Sequence, residues 1–181
     1  MIKGGVSLGA SHGLSPQGGL PQNNRIGDLD PYALDLIMRN RGLSFDEVLE
    51  ICASQSGLLG ICGHNDVRDI QEGAVAGDER CVLALEVLAT ASRDYMGAYV
   101  VEMGGLDAIS FTGGIGEHSS MVRGLILRDL EFLGVQMSAE KNEQVHGECI
   151  LHAEGSSVRF HVMVADSELV VARRSYEFLG S

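Results

Sequence analysis

An α/β layer fold is predicted by three features of the sequence. Short apolar runs suited to strands, at 108–112 and 158–164, alternate with segments of helical period. One of those segments, 77–104, keeps apolar residues at helical spacing over many turns. Recognisable caps and glycine stops mark where helices begin and end. The chain has 181 residues, 45% of them hydrophobic, which suits one domain with its own core.

The elements follow in order. Residues 6–10 read as a short strand, and 11–27, rich in Gly, Ser, Asn and Gln, as an ordered loop. Asp30 and Pro31 open a helix, Asp30 accepting N–H groups as cap and Pro31 suiting the first helical position. It runs to about Asn40 and stops at Gly42. Ser44 with Glu47 forms a capping box for a second helix, ending near Ser54. In 77–104, Val82, Leu85, Leu88, Tyr95, Met96, Tyr99, Val100 and Met103 share helical spacing. Such a helix would be about 42 Å long, with Gly97 marking close packing or a bend. Gly104 and Gly105 stop it. The run 108–112 suits a buried strand. A glycine-rich turn then leads into a helix from about His118 to Leu133. Residues 158–164 form another strand, and Asp166 or Ser167 caps a last helix to about Phe178.

Composition excludes several classes of function. The formal net charge is −12, and no cluster of Lys and Arg suggests nucleic-acid binding. No apolar run approaches the roughly 20 residues that span a bilayer. The N-terminal residues lack the apolar core of a secretion signal. Cys52, Cys62, Cys81 and Cys149 match no zinc spacing and read as reduced, mostly buried thiols of a cytoplasmic protein. An anionic ligand would need local help from backbone N–H groups, particular arginines or a metal ion.

The glycine-rich turn is Phe111-Thr112-Gly113-Gly114-Ile115-Gly116-Glu117-His118-Ser119. Glycines let the backbone come close to a ligand, and a following helix N-terminus offers N–H groups to phosphate. A tight strand-to-helix turn without a ligand explains the same residues. A dinucleotide fingerprint is a further alternative, since Gly114-x-Gly116-x-x-Ser119 nearly fits. That fingerprint wants an acidic residue ending the next strand, and Glu140 and Glu143 fall in a stretch that reads as helical.

Four segments together resemble the acetate and propionate kinases. The turn is similar to that family's FTAGIGENS. Gly19-Leu20-Pro21-Gln22-Asn23-Asn24-Arg25-Ile26-Gly27-Asp28-Leu29-Asp30-Pro31 is similar to GLMMGTRSGDLDP. Asn65-Asp66-Val67-Arg68-Asp69-Ile70 is similar to S-D-F-R-D-I, and Val164-Ala165-Asp166-Ser167-Glu168-Leu169 to P-T-N-E-E-L. They occur in the family's order along nearly the whole chain.

The resemblance implies a C-terminal, ribonuclease H-like nucleotide-binding domain of the acetate and sugar kinase, heat-shock cognate and actin superfamily. It takes 1–181 as one partial domain, incomplete at its N-terminal strands. It implies Mg2+-dependent, reversible phosphoryl transfer between ATP and a short-chain carboxylate. Arg25 aligns with an arginine that contacts the transferring phosphoryl group and the carboxylate, a role that suits a planar guanidinium fork. A lone arginine after a polar loop is more commonly a surface residue, and the flanking Gly27-Asp28-Leu29-Asp30-Pro31 match favours the site. Asp66, Val67 and Arg68 align with a segment bordering the adenosine, although valine cannot stack as the usual phenylalanine does. A capped helix start explains that segment as well. Gly113, Gly114, Ile115 and Gly116 align with the loop along the nucleotide. His118 ends that loop where the family has asparagine, and carries no acid–base role. Glu168 aligns with a magnesium-associated glutamate, and it also suits the positive start of the last helix.

The family's H-x-G-N-G segment, with a catalytic histidine, would precede Met1, as would two strands of the sheet. A catalytic aspartate lies in the family's N-terminal domain. His12 is no substitute, because its surroundings match the family's T-S-M-G-F-T-P loop. The expectation is therefore a chain with nucleotide and Mg2+ contacts but no turnover alone. The strand at 6–10 is expected to leave a sheet edge unpaired. The partners implied are ATP or ADP, a carboxylate, and either a second copy or a separate N-terminal half. A non-catalytic association domain, using the helix at 77–104, is the alternative.

Overall fold

The computed structural model describes residues 1–180. It divides into two compact units: Met1–Leu106 with Gly124–Arg128, and Asp107–Arg123 with the chain from Asp129 on.

The first unit begins with a hairpin. Strands β1 (Ile2–Lys3) and β2 (Val6–Ser7) pair antiparallel, Ile2 opposite Ser7 and Lys3 opposite Val6. The expected strand at 6–10 is thus two residues long, and it is paired. Gly4 and Gly5 adopt positive φ and turn the chain back on itself, so a local partner satisfies it.

Five helices follow. Helix α1 (Tyr32–Arg41) starts with Asp30 accepting the Tyr32 N–H at 3.0 Å, and ends at Gly42 in the left-handed conformation. Helix α2 (Phe45–Ser54) carries the full Ser44–Glu47 capping box. Helices α3 (Gly57–Cys62) and α4 (Val67–Val75) pack against the long α5 (Glu79–Met103). Asp78 caps α5, and Gly104 ends it. Its buried residues are Cys81, Ala84, Leu85, Leu88 and Ala89, a stripe one helix face wide. Val48, Leu58, Val67 and Ile70 complete that core. Each fully buried Leu or Ile contributes about 1.5–3 kcal/mol. The stripe stops at Ala89, so only the first half of α5 is core. Gly97 has open space around it and marks no close packing.

The second unit holds a three-stranded sheet in the order β3-β5-β4. Strand β3 (Ala108–Phe111) runs parallel to β5 (Arg159–Val162), with Ala108 opposite Arg159 and Phe111 opposite Val162. Strand β4 (Cys149–Ile150) runs antiparallel to β5. The expected buried strand at 108–112 is an edge strand instead, with only Phe111 buried. Between β3 and β4 lie α6 (Gly113–His118), α7 (Ser120–Leu127), a 3-10 turn (Glu131–Leu133) and α8 (Ala139–Glu143). The single helix expected from His118 to Leu133 is thus three short pieces, broken at Ser119 and at Asp129, which has positive φ. The core gathers Phe111, Val122, Val135, Leu151, Val158, Phe160 and Val162. Helix α9 (Ser167–Leu179) ends the description, with Asp166 accepting the Leu169 N–H at 2.8 Å and no buried residue.

All four cysteines are free; Cys52, Cys62 and Cys81 are buried. Among the described residues no helix is long and apolar enough to cross a membrane.

Phe160 is 0% exposed, at the centre of the sheet. Phe160→Ala is expected to cost about 3–5 kcal/mol, read as a lower urea midpoint.

Candidate functional site

In the first unit, Arg25 sits on a loop fastened mainly through its backbone. Gly27 donates to the Gln17 carbonyl and Asp28 to the Gly19 carbonyl, at 3.0 and 2.9 Å. Ile26 donates to the Cys52 carbonyl at the end of α2. The start of α3 holds the other side. Ser56 N–H meets the Asn24 carbonyl, Leu58 N–H that of Gln22, and Leu59 N–H that of Asn23, at 2.8–3.0 Å. These are the donors that a helix N-terminus leaves unpaired. Asn23 and Asn24 thus shape the loop through backbone carbonyls, which any residue supplies.

Gly57 makes this contact possible. Its φ is +59°, and a Cβ there would overlap the Gln22 carbonyl and come within 2.6 Å of the Arg25 carbonyl. Sequence reading missed it, although Ser56-Gly57 at the start of an apolar run was the available signal.

Asp28 adds a side-chain tie. Its carboxylate accepts the Gly19 N–H at 2.8 Å and the Tyr95 hydroxyl from α5. The Tyr95 bond, then the Gly19 bond, hold the Asp28 carboxyl below its ordinary range. The same Asp28 contact pushes the Tyr95 phenol up to about 12. Arg25 itself is half-buried and donates to Gln22 Oε1 at 3.2 Å. It has no carboxylate partner among the described residues, so most of its fork is uncommitted.

Asp66 is the N-cap of α4, accepting the Arg68 N–H at 2.9 Å. The Arg68 guanidinium also folds onto the Asp66 carboxylate, with Nη2 at 2.6 Å. This ion pair, then the cap bond, lower the Asp66 carboxyl to about 2. Arg68 is exposed. Val67 is 7% exposed and belongs to the α4–α5 core, which argues against its serving as a surface contact.

In the second unit, the glycines expected to form a turn are themselves helical. They make up α6, six residues long, and Gly113 enters it at φ +73°. A Cβ on Gly114 would meet nothing, so that backbone is open to approach. A Cβ on Gly116 would rest against the backbone of Phe111 at 3.4 Å. Ile115 is half-buried and His118 exposed. The Gly113 N–H is already taken, by Glu117 Oε1 at 2.8 Å. The same oxygen accepts the Ala165 N–H at 3.0 Å.

Arg123 holds the other end of α6. It is 1% exposed and has four acceptors: the carbonyls of Gly116, Glu117 and Asn142, and Asn142 Oδ1, at 2.7–3.0 Å. Burial draws its pKa down, yet a guanidinium stays charged under ordinary conditions. Neither Glu117 nor Arg123 stood out in the sequence, because their partners depend on the fold.

Glu168 lies in the exposed first turn of α9. Its carboxylate has no hydrogen bond or ion pair among the described residues. Among the described residues, no group of three or more His, Cys, Asp or Glu side chains gathers as a metal cluster. Mg2+ keeps several waters and needs only one or two carboxylates, so a single free carboxylate fits it. The dinucleotide alternative loses its acidic residue, since Glu140 and Glu143 lie on α8 and not at a strand end.

Comparison with known proteins accounts for these segments together. The model of the Acetokinase family matches residues 1–173. The chain belongs to the acetokinase family. It is 41% identical over 173 residues to the acetate kinase of Shouchella clausii, covering 95% of this chain and 44% of that protein. The crystal structure of Porphyromonas gingivalis acetate kinase matches with a TM-score of 0.91 at 34% identity. That match covers 98% of this chain and 45% of the other. A propionate kinase structure from Francisella tularensis matches with a TM-score of 0.83 at 36% identity, over 90% and 41% of the two chains. The chain therefore spans less than half the length of these acetokinase relatives, and the expected superfamily fold is the one found.

Two outcomes are expected for the Arg25 loop. Gly57→Ala should destabilise the chain by more than about 1 kcal/mol, because a positive φ and a backbone overlap both oppose the methyl group. Urea denaturation checks this. Asp28 has a lowered folded pKa, so its contribution is present above the ordinary value of 3.8 and is lost as pH falls through the folded value. Tyr95 has a raised one, so its contribution is present below the ordinary 10.0 and is lost as pH rises through about 12. Tyr95→Phe should flatten both limbs of the stability–pH curve.

Proposed function

We propose that this chain forms the nucleotide-binding part of an acetate kinase, acting as a single C-terminal domain. The reaction is the Mg2+-dependent, reversible transfer of the terminal phosphoryl group of ATP to acetate or another short-chain carboxylate. A carboxylate oxygen bonds to the γ-phosphorus as the bond to the β–γ bridging oxygen breaks, giving acyl phosphate and ADP. Membership of the acetokinase family along nearly the whole chain carries this reading.

Phosphoryl transfer asks for positioning and charge stabilisation. The uncommitted fork of Arg25 suits the carboxylate and the phosphoryl oxygens, two at a time. Asp66 holds the Arg68 guanidinium in place, so its plane can border the adenosine. The open backbone at Gly114, flanked by Gly113, Ile115, Gly116 and His118, receives the nucleotide. Glu168 would hold Mg2+, which when bound neutralises charge on the phosphate oxygens.

The catalytic histidine and aspartate implied by the resemblance have no counterpart in the 181 residues. On this reading the chain alone binds nucleotide without turning it over. A second copy, or the part of the relatives' length that lies outside these 181 residues, would complete the site. Free thiols fit a cytoplasmic setting. A second reading, association without catalysis, draws on apolar residues exposed beyond the core half of α5, such as Val101 at 80%.

ATP with Mg2+ at a hundredfold excess over Kd should stabilise the chain by about 2.7 kcal/mol, seen as a rise in Tm. No acyl phosphate should form in a hydroxamate assay. Absence of any nucleotide effect at millimolar concentration would favour association, which light scattering then tests. Gly114→Ala should keep or raise Tm, since alanine favours helix over glycine and the space is open. It should also weaken nucleotide binding about tenfold, or 1.4 kcal/mol.

A further inference from the structure

Glu117 joins two segments that the site needs at a fixed separation. One is α6, with the open backbone at Gly114; the other is the connection from β5 to α9, which delivers Glu168. A single oxygen, Glu117 Oε1, accepts from Gly113 on one side at 2.8 Å and from Ala165 on the other at 3.0 Å. Ala165 is three residues before Glu168, and Asp166 between them caps α9. The far end of α6 cannot shift to compensate, because Arg123 grips the carbonyls of Gly116 and Glu117.

We infer that Glu117 is a positioning residue, which couples the glycine helix to the start of α9 and so sets the nucleotide contact and the Mg2+ contact together. It touches neither ligand. This rests on the proposed roles of Gly114 and Glu168. The coupling depends on reach as well as on charge. A glutamine oxygen accepts both N–H groups from the same distance. An aspartate keeps the charge but is one methylene shorter and cannot span the gap.

The test is ADP binding to the full chain by titration calorimetry, with and without Mg2+. Hydrogen exchange at 113–116 and 163–169 is followed in parallel. Variants are Glu117→Ala, Glu117→Asp, Glu117→Gln and Glu168→Gln. In the unaltered chain Mg2+ should tighten ADP binding, and Glu168→Gln should remove that gain while leaving Mg2+-free affinity alone. Glu117→Ala and Glu117→Asp should also lose most of the gain, about tenfold. In both, ADP should still protect 113–116 but no longer 163–169. Glu117→Gln should behave as the unaltered chain.

The inference is overturned if Glu117→Ala or Glu117→Asp keeps the full Mg2+ gain while Glu168→Gln loses it. It is overturned too if Mg2+-free and Mg2+-bound affinities fall in parallel, as a general loss of structure would produce. If the unaltered chain binds no ADP, or Glu168→Gln keeps the gain, the underlying reading of the site fails, and the inference with it. The unaltered chain and the Glu168 variant identify that case separately.

Discussion

The buried guanidinium of Arg123 is the contact on which the second unit depends. It is a charge taken out of water with no carboxylate beside it. Such burial is tolerable only when the donors find acceptors, and here Arg123 has four. Three of them are main-chain carbonyls at the ends of short helices, where acceptors are left over. The contact therefore solves two problems at once. It shelters the charge, and it terminates α6 and α8, neither of which is long enough to be stable alone. With α6 fixed at that end by Arg123 and at the other by Glu117, a segment half of which is glycine has one shape. Glycine would otherwise leave it many.

Much of the helical framework was legible because its signals are local. The Ser44–Glu47 box, Asp30 before Pro31, Gly42, Gly104 and Asp166 all did in the structure what their types suggest. A cap and its partners lie within a few residues, so the sequence contains both halves of the interaction. The errors came where a distant partner decides. Residues 108–112 are apolar enough for a central strand, yet β3 lies at the sheet edge, a fact fixed by pairing with β5. The helix expected from His118 to Leu133 breaks because Asp129 takes a left-handed conformation, which its residue type permits but does not demand. The hairpin at Gly4-Gly5 carries a local signal, a two-glycine turn, and it pairs the strand with its own neighbour rather than with a distant one.

The site divides in the same way. Motif resemblance picked out Arg25, Asp66, Arg68, the glycines and Glu168, because these residues recur as recognisable strings. Resemblance could not say what faces solvent. Val67 stands in the adenosine-like segment but is buried, because the first residue of α4 turns inward here. Gly57, Tyr95, Glu117 and Arg123 hold the candidate residues in place. Tyr95 lies 67 positions from Asp28, and Ala165 lies 48 from Glu117. At such separations a sequence carries no record of the contact.

The way α3 grips the Arg25 loop bears on how this family can vary. Three donors at the start of α3, Ser56, Leu58 and Leu59, hold the carbonyls of residues 22–24, and the side chains of Asn23 and Asn24 are not part of the grip. Those two positions are free to drift, and each exchange places new chemistry beside Arg25 without refolding the loop. Gly57 is closed to such drift, since even a methyl group meets backbone. One immovable residue thus leaves its neighbours open to change, and the loop's surface can vary while its path stays fixed.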